Sequence, residues 1–366
     1  MKKLFVALLS ITLLFGIVAC DKPVNDGDTE VKVGFIYIGD PADGGFTLMH
    51  DEGRKYLVEK LGVKTAEVYN IDDTDAQTFD TKVRELIDQG FNVIIACSYG
   101  YGQPMDTLAK EFPDITFLHF SGDFLEENMG NFFGKMYEAR YVAGAVTGMN
   151  IPEGGTVGYV AAYPIPEVIR AINAFTLGVR STNPTATVKV SWTFTWFDPT
   201  IEKQAGEALV KQGVDAMTIH QDTPAALQAA TTVGKWGIGY HTDMSASLGD
   251  DCLISAVWNL GPYYVDQIKA VQDGTWKAEA IWGGYEDGER NMVTVSKVSP
   301  KAAAGSQELA DKLISQLAAG ELKVFGGPLK DNQGNLKITD GAVMSPADIW
   351  VMMWFVEGVD GTVPAN

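Results

Sequence analysis

The chain has 366 residues, with 47 Asp and Glu against 28 Lys and Arg, and a net charge of −19 at pH 7. So negative a surface repels phosphate backbones, which excludes nucleic acid as a partner. Three cysteines in a chain of this length exclude a disulfide framework, and the length allows two domains.

The amino-terminal segment predicts export. Lys2 and Lys3 precede an apolar run at residues 4–18, which is too short and too early for an ordinary membrane span. The run ends in the sequence IVAC, and small residues before Cys20 are what a lipoprotein signal peptidase requires. We therefore predict a signal peptide at residues 1–20, a lipid on Cys20 and an extracytoplasmic, membrane-anchored protein. Residues 21–30 are polar and predict a tether. The alternative is a chance cysteine in an ordinary signal peptide.

The remainder alternates apolar runs with amphipathic segments in two successive series. The first series predicts strands at 31–38, 92–96 and 115–119, and helices at 47–61, 76–90 and 103–112. The second predicts strands at 155–161, 187–195, 214–219 and 236–240, and helices at 166–182, 199–212 and 224–233. Apolar runs without polar alternation indicate strands covered on both faces. The pattern predicts an α/β protein with two doubly wound parallel-sheet lobes.

Residues that directly follow these strands carry the candidate binding chemistry, because ligands of such sheets lie beyond the carboxyl ends of the strands. Aromatic rings supply faces for stacking, and carboxylates or hydroxyls supply hydrogen bonds to a flat ring. An Asp or Ser in this place is also a common helix cap, and Trp or Phe is often core. Their coincidence at several strand ends favours a binding cleft. The candidates are Asp43, Gly45, Phe46, Ser98, Tyr99, Trp196, Asp222, Asp243 and Trp258.

The sequence carries no motif typical of a catalytic centre or a metal site. His50, Asp51 and Glu52 are consecutive and point to different faces of a helix, and the four histidines show no paired ligand spacing. The sequence has no Cys-x-x-Cys, nucleophile elbow, phosphate-binding loop or dinucleotide fingerprint. We expect no metal, no cofactor and no enzymatic activity. His50 is interpreted as a bystander, and separate burial of Cys97 and Cys252 is favoured over their pairing.

Several segments together resemble the basic membrane protein (BMP) family of lipoproteins. They are DGGFT at 43–47, HDEGR at 50–54, FGKMYEARYVAG at 133–144, TWFDP at 195–199 and GYHTD at 239–243. The resemblance covers nearly all of residues 31–360. It implies a type I periplasmic-binding-protein fold and a substrate-binding component of an ABC importer. It also implies a purine nucleoside or purine base held between two aromatic rings in the cleft between the lobes.

The resemblance also implies roles for individual residues. Phe46 and Trp196 match the stacking pair, and Asp43 and Gly45 line the first loop. Ser98 and Tyr99 match the loop after the third strand, Asp222 the contact with the ring edge, and Asp243 the acid that holds ribose hydroxyls.

One departure from the family bears on the ligand. Trp258 stands where nucleoside binders have a lysine that reaches ribose, and its indole would occupy the space of a sugar. Thr47 likewise stands where many members have Asn. The resemblance with these changes favours a free purine base, adenine-like, with a nucleoside as the alternative.

The two lobes are predicted to be discontinuous in sequence. Residues 31–150 and 253–287 are assigned to the amino-terminal lobe, and residues 151–252 and 288–366 to the carboxy-terminal lobe. Three crossings are expected near 149–155, 243–253 and 285–290. The predicted partners are a small-molecule purine and an ABC permease, with the protein a monomer that touches the membrane through its lipid only. A sensory lipoprotein and an enzyme of purine salvage are the other classes considered.

Overall fold

A computed structural model describes residues 30–364 of the chain. The predicted signal peptide with Cys20, and the tether up to residue 29, lie outside the described residues. The strands are β1 (Lys32–Tyr37), β2 (Lys64–Val68), β3 (Val93–Cys97), β4 (Thr116–Phe120), β5 (Met129–Gly134), β6 (Thr156–Ala161), β7 (Thr187–Trp192), β8 (Ala216–His220), β9 (Trp236–His241), β10 (Cys252–Trp258), β11 (Ala280–Gly283), β12 (Val293–Val295), β13 (Leu329–Lys330), β14 (Leu336–Ile338) and β15 (Val359–Asp360).

The helices alternate with these strands as predicted. They are α1 (Phe46–Leu61), α2 (Ala76–Asp88), α3 (Gly102–Glu111), α4 (Met136–Met149), α5 (Pro166–Thr182), α6 (Pro199–Lys211), α7 (Ala225–Thr231), α8 (Ser245–Leu248), α9 (Leu260–Gln272), α10 (Ser306–Ala318) and α11 (Pro346–Trp350). Between residues 30 and 364, none of these helices has the length and apolar character that crossing a membrane requires.

The first sheet has the strand order β11-β5-β4-β3-β1-β2, and all its pairs are parallel. Strand β1 lies between β3 and β2, and its residues after Lys32 are buried. The chain passes from β1 to β2 on one side and then to β3 on the other. The loops that follow β1 and β3 therefore diverge and leave a crevice at the carboxyl end of the sheet.

The second sheet repeats this winding. Its order is β12-β10-β9-β8-β6-β7-β15, parallel except that β12 runs antiparallel to β10. The order β7-β6-β8-β9-β10 corresponds to β2-β1-β3-β4-β5 of the first sheet. The prediction of two doubly wound parallel-sheet lobes is confirmed, and each sheet contributes one crevice.

The lobe boundaries differ from the predicted ones, because the lobes exchange helices. Helix α4 follows β5 of the first sheet but packs on α5, β10 and β12, whereas α9 follows β10 of the second sheet but packs on α1. The chain therefore crosses at residues 134–136, 258–260 and 283–293. The crossings expected near 149–155 and 243–253 are corrected, and the one near 285–290 agrees. Residues 136–149 and 252–258 lie with the second lobe.

Small residues explain why α4 lies against the second lobe. A Cβ added at Gly144 would come within 2.2 Å of the Phe175 carbonyl oxygen, and one at Gly178 within 2.1 Å of the Tyr141 carbonyl oxygen. The backbones of α4 and α5 thus approach more closely than alanine would allow. Gly144 and Gly178 therefore allow close packing of α4 on α5. The spacing of the glycines in the sequence does not show which helix each of them contacts.

Glu138 joins the first and third crossings. Its carboxylate accepts the Tyr285 backbone N–H at 2.9 Å, while the Lys135 ammonium lies 3.1 Å from Glu286 and 2.9 Å from Asp287. Burial raises the pKa of Glu138 to about 7, although the Tyr285 N–H and Lys135 act in the opposite direction. The hinge region therefore contains a carboxyl group that titrates near neutral pH.

Glu138→Gln tests this group through the pH dependence of stability. The pKa of Glu138 rises from 4.5 to about 7 in the folded protein, so its stabilising contribution is complete below pH 4.5 and is lost as the pH rises towards 7. We expect the free energy of unfolding of the wild type, relative to the variant, to fall by on the order of 2–3 kcal/mol between about pH 5 and pH 8.

Denaturant unfolding at both pH values measures this difference. Glu207→Gln, an exposed change on α6, is the matched control and should follow the wild type. Parallel pH dependences of the wild type and Glu138→Gln would contradict the assignment.

Candidate functional site

The two lobes touch where α1 begins. A Cβ added at Gly45 would lie 2.3 Å from the Asp222 carbonyl oxygen of the second lobe. The Thr242 hydroxyl donates to the Gly44 carbonyl oxygen at 3.1 Å. A side chain at position 45 has no room in this arrangement. Gly45 therefore permits the lobes to close over the crevice between them.

Asp43 serves the local structure of this contact. Its carboxylate oxygens accept the backbone N–H groups of Gly45 at 2.9 Å, Thr47 at 2.7 Å and Leu48 at 3.2 Å. Those are donors that the first turn of a helix leaves without partners. The acceptor capacity of Asp43 is thus committed to capping α1. Its negative charge still reaches Asp222, whose pKa it helps to raise.

Phe46 belongs to an aromatic cluster shared by both lobes. Its half-buried ring lies with its centroid 5.1 Å from that of His50 and 5.8 Å from that of Phe120, both edge to face. Across the cleft its centroid is 5.7 Å from that of His241. The sequence prediction of Phe46 as a residue facing the other lobe agrees with this position.

His50 lies inside this cluster, contrary to its interpretation as a bystander. It is fully buried, and its Nδ1 is 2.8 Å from the Tyr264 hydroxyl. Its Nε2 has no hydrogen-bond partner in the described part of the chain. Burial, together with repulsion from His241, lowers the pKa of His50 to about 3. His50 is therefore a neutral ring with one uncommitted nitrogen beside Phe46.

The neighbouring charged residues of α1 form ion pairs. Asp51 is buried and lies 2.8 Å from both Arg54 and Lys55, and Arg54 is also 2.7 Å from Glu67 of β2. These ion pairs attach α1 to the edge of the first sheet. Asp51 and Arg54 therefore have structural roles.

Trp196 and Asp222 come together in the second lobe. The Asp222 backbone N–H donates to the Trp196 carbonyl oxygen at 3.1 Å. The Trp196 ring is 38% exposed, with its centroid 5.4 Å from that of Tyr163 and 6.2 Å from that of His220. The loop after β7 thereby carries a partly exposed aromatic ring and is joined to Asp222 through the backbone.

The Asp222 side chain is largely buried and joined to His241. Its Oδ1 lies 3.1 Å from Nε2 of His241. Burial, with the negative charges of Asp43 and Glu167, raises the pKa of Asp222 well above its usual range. A carboxyl group in such surroundings gains from every hydrogen-bond donor that reaches it.

Trp258 closes the cleft on the side of β10. It is 5% exposed, and its indole Nε1 donates to Nδ1 of His241 at 3.2 Å. Its ring centroid is 5.1 Å from that of Phe120 and 5.2 Å from that of Phe133, both of the first lobe. The tryptophan therefore fills interlobe space rather than turning into the interior of its own lobe.

Three other predicted residues hold the edges of the cleft. The Ser98 hydroxyl donates to Asp73 at 2.5 Å. Tyr99 is 64% exposed, and its hydroxyl donates to Asp123 at 3.2 Å. Asp243 is exposed and accepts the Ser245 N–H at 3.0 Å, which caps α8. The structure gives Ser98, Tyr99 and Asp243 loop-holding contacts and does not bring them to Phe46.

Beneath the cleft, the second lobe buries a positive charge. The Arg140 guanidinium donates to the Ile219 carbonyl oxygen at 2.7 Å and lies 3.8 Å from the centre of the Tyr240 ring. His220, 3.1 Å from the Tyr240 hydroxyl, is fully enclosed. Burial lowers the pKa of His220 to about 4, and the charge of Arg140 acts in the same direction. The histidines below the cleft are thus neutral.

An outer pocket of about 240 Å³ opens beside the cluster, lined by Phe133, Trp282, Trp350 and Asp123 among others. Arg170 lies over the rings of Trp350, at 4.9 Å, and Trp282, at 5.5 Å.

Within residues 30–364, no group of three His, Cys, Asp or Glu side chains is arranged to hold a metal ion. Cys97 and Cys252 are buried and free, one in each sheet.

Two residues that the sequence reasoning did not select, His50 and His241, lie at the centre of the site. His241 ends β9 with φ of 68°, a left-handed conformation that directs its ring out of the alternation of the strand. Its sequence signal was its place within the GYHTD segment at 239–243. His50 follows Phe46 by one helical turn, the spacing that places two side chains on one face.

Comparison with known proteins agrees with this architecture. A family model described as "ABC transporter substrate-binding protein PnrA-like" matches residues 30–317. A purine-binding protein of Brucella abortus is 37% identical over 92% of this chain and 95% of its own length. A putative ABC transporter glucose-binding protein of Haloferax volcanii is 36% identical over 93% of this chain and 83% of its own.

Solved structures support the fold. An ABC transporter solute-binding protein from Conexibacter woesei superposes with a TM-score of 0.68 at 23% identity, covering 80% of this chain and 97% of its own. A transcriptional activator of the comK gene from Bacillus halodurans gives a TM-score of 0.69 at 22% identity, covering 78% and 97%. The expected type I periplasmic-binding-protein fold is confirmed, as is the prediction of a binding protein rather than an enzyme. The chain belongs to the PnrA-like family of ABC transporter substrate-binding proteins.

Proposed function

We propose that this protein captures a free purine base, adenine-like, in the cleft between its lobes and delivers it to an ABC permease for import. A lipid on Cys20 anchors it to the membrane on the extracytoplasmic side, and it acts as a monomer with one ligand. Closure of the lobes about the three crossings gives the permease a liganded state to recognise.

The observation that carries the proposal is the setting of Asp222. Its largely buried carboxyl group is bonded to His241, which touches Phe46, and its backbone is bonded to Trp196. Asp222 is thus joined to a residue that packs on an aromatic ring of the first lobe and to a residue that carries an aromatic ring of the second. A flat heterocycle that stacks on the rings and donates N–H groups from its edge satisfies both requirements.

Trp258 favours a base over its nucleoside. The indole packs on Phe120 and Phe133 and fills the interlobe space where a sugar would extend. Asp243, which would hold ribose hydroxyls, is exposed and caps α8. Each buried hydroxyl left unpaired costs about 1–3 kcal/mol. A nucleoside would bring several of them.

The names of the relatives point in two directions, purine and glucose. The aromatic cluster and the neutral histidines support the purine, because a sugar presents hydroxyls on all sides and needs many polar partners. Two alternatives to the proposal are a purine nucleoside receptor of an ABC importer and a lipoprotein that presents its ligand to a membrane sensor. Crosslinking in membranes would recover the permease under the proposal, and a receptor under the sensory alternative.

Removal of either stacking ring should weaken binding. Base–aromatic stacking is worth about 1–3 kcal/mol, so Phe46→Ala and Trp196→Ala should each lower adenine affinity about tenfold to a hundredfold. Isothermal titration calorimetry measures the loss. Phe197→Ala, beside Trp196 and 54% exposed, is the matched control and should bind as the wild type. Unchanged affinity in Trp196→Ala, or an equal loss in all three variants, would exclude this stacking pair.

The choice of ligand class is tested by titrating adenine and adenosine in parallel. The base should bind at least about tenfold more tightly, which corresponds to 1.4 kcal/mol or more, because the nucleoside must displace Trp258 or leave its hydroxyls unpaired. Native mass spectrometry of freshly purified protein should show a retained mass of a base. A nucleoside that binds as tightly as its base would replace the proposal by the nucleoside alternative.

The anchor is tested by Cys20→Ser. Because acylation requires the thiol, the variant should leave the membrane fraction while the wild type stays in it, and the wild type should carry the mass of an attached lipid. Cys97→Ser is the matched control, because that thiol is buried in the first sheet. Identical fractionation of wild type and Cys20→Ser, with no lipid mass, would disprove the anchor.

A further inference from the structure

Three adjacent strands of the second sheet end in a hydrogen-bonded series of side chains. Asp222 follows β8, His241 ends β9 and Trp258 ends β10. The indole Nε1 lies 3.2 Å from Nδ1 of His241, and Nε2 of His241 lies 3.1 Å from Oδ1 of Asp222. All three residues belong to one lobe, so their arrangement does not depend on closure of the cleft.

The indole decides where the proton of the imidazole lies. Its N–H can only donate, so Nδ1 of His241 must accept and carries no hydrogen. A neutral imidazole has its hydrogen on the other nitrogen, so Nε2–H donates to Asp222. The left-handed backbone of His241, with φ of 68°, holds the ring between the two partners. The direction of both hydrogen bonds is thereby fixed.

We propose that Trp258 is a positioning residue: its indole N–H fixes His241 as a donor to Asp222, and Asp222 is thereby held as the acceptor of an N–H group of the ligand. This inference rests on the proposed function for the identity of the ligand. It adds a specificity rule, because the site then selects heteroaromatic rings with a free N–H at the edge that meets Asp222. A ring without that N–H leaves a buried carboxylate oxygen unpaired.

Burial and the groups around the imidazole of His241 leave it neutral. These groups come from every element packed against the ring: Arg140 of α4, Glu167 of α5, His220 of β8, Asp222 after β8, Tyr240 of β9, Asp43 before α1 and His50 of α1. Burial, with repulsion from Arg140, lowers the pKa of His241 to about 3.

Without the indole donor, the neutral imidazole can place its hydrogen on either ring nitrogen. With the hydrogen on Nδ1, Nε2 turns a lone pair instead of an N–H group towards Asp222, and the carboxyl group loses the donor that holds it. The indole N–H of the wild-type protein excludes this tautomer, and a protein without the indole N–H allows it.

Trp258→Phe removes the N–H and keeps an aromatic ring, and nitrogen NMR of ¹⁵N-histidine protein reports both ring nitrogens. In the ligand-free wild type we expect Nδ1 of His241 to be unprotonated and Nε2 protonated across about pH 5.5–8, the range in which an ordinary histidine titrates. In Trp258→Phe, part of the molecules should carry the hydrogen on Nδ1 instead of Nε2, with the ring still neutral. His241→Gln identifies the resonances.

Trp276→Phe is the matched control, because its indole N–H bonds to Gln267 at 2.9 Å in the first lobe. It should leave the His241 resonances as in the wild type. A protonated Nδ1 in the wild type overturns the inference even if Trp258→Phe does not fold. Identical ring-nitrogen resonances of His241 in the wild type and Trp258→Phe across this pH range overturn it as well.

Adenine titrations give the second measurement. At about pH 7, adenine should bind Trp258→Phe about threefold to tenfold more weakly than the wild type, while Trp276→Phe should differ from the wild type by less than about twofold. Equal affinities for all three proteins overturn the inference. If adenine does not bind the wild type at all, the proposed function fails, and the resonances of ligand-free His241 still decide on the positioning role of Trp258.

Discussion

Closure of the two lobes depends on one steric constraint, the approach of the Gly45 backbone to the carbonyl oxygen of Asp222. Any larger residue at position 45 would hold the lobes apart by the width of its side chain. The same contact brings Phe46 to His241 and lets the aromatic cluster exclude water. Hydrogen bonds to Asp222 are stronger where water is excluded. The steric fit at Gly45 therefore also determines the strength of the polar interactions in the site.

The histidines of the cleft carry no charge. Burial lowers the pKa values of His50, His220 and His241, and the buried guanidinium of Arg140 lies over the Tyr240 ring. The carboxyl group of Asp222 is partnered by His241, whereas Nε2 of His50 has no hydrogen-bond partner in the described part of the chain. A cleft of this kind favours a neutral ligand over an ionic one.

The sequence was sufficient for the repeated winding because β1, β3, β6 and β8 are apolar on both faces. It was insufficient for β2, whose residues KTAEV alternate polar and apolar at a sheet edge. Phe46, Trp196, Asp222 and Trp258 were predicted from their places at or after strand ends, and their contact with a ligand stays a prediction. His241 was not predicted, because its left-handed backbone conformation at the end of β9 does not show in the sequence pattern. Asp43, which was predicted to line the ligand, accepts three backbone N–H groups at the start of α1. The order of elements along the chain also does not show that α4 packs on the second lobe and α9 on the first.

The exchange of α4 and α9 between the lobes has a consequence for the order of folding. The first lobe contains α9 and β11, so the chain has to emerge as far as Gly283 before that lobe can complete its packing. The second lobe needs β12 and β15, near the end of the described chain. Neither lobe can form from a contiguous stretch, and contacts between residues distant in sequence slow folding. A nascent chain of this topology therefore stays incompletely folded during most of its synthesis.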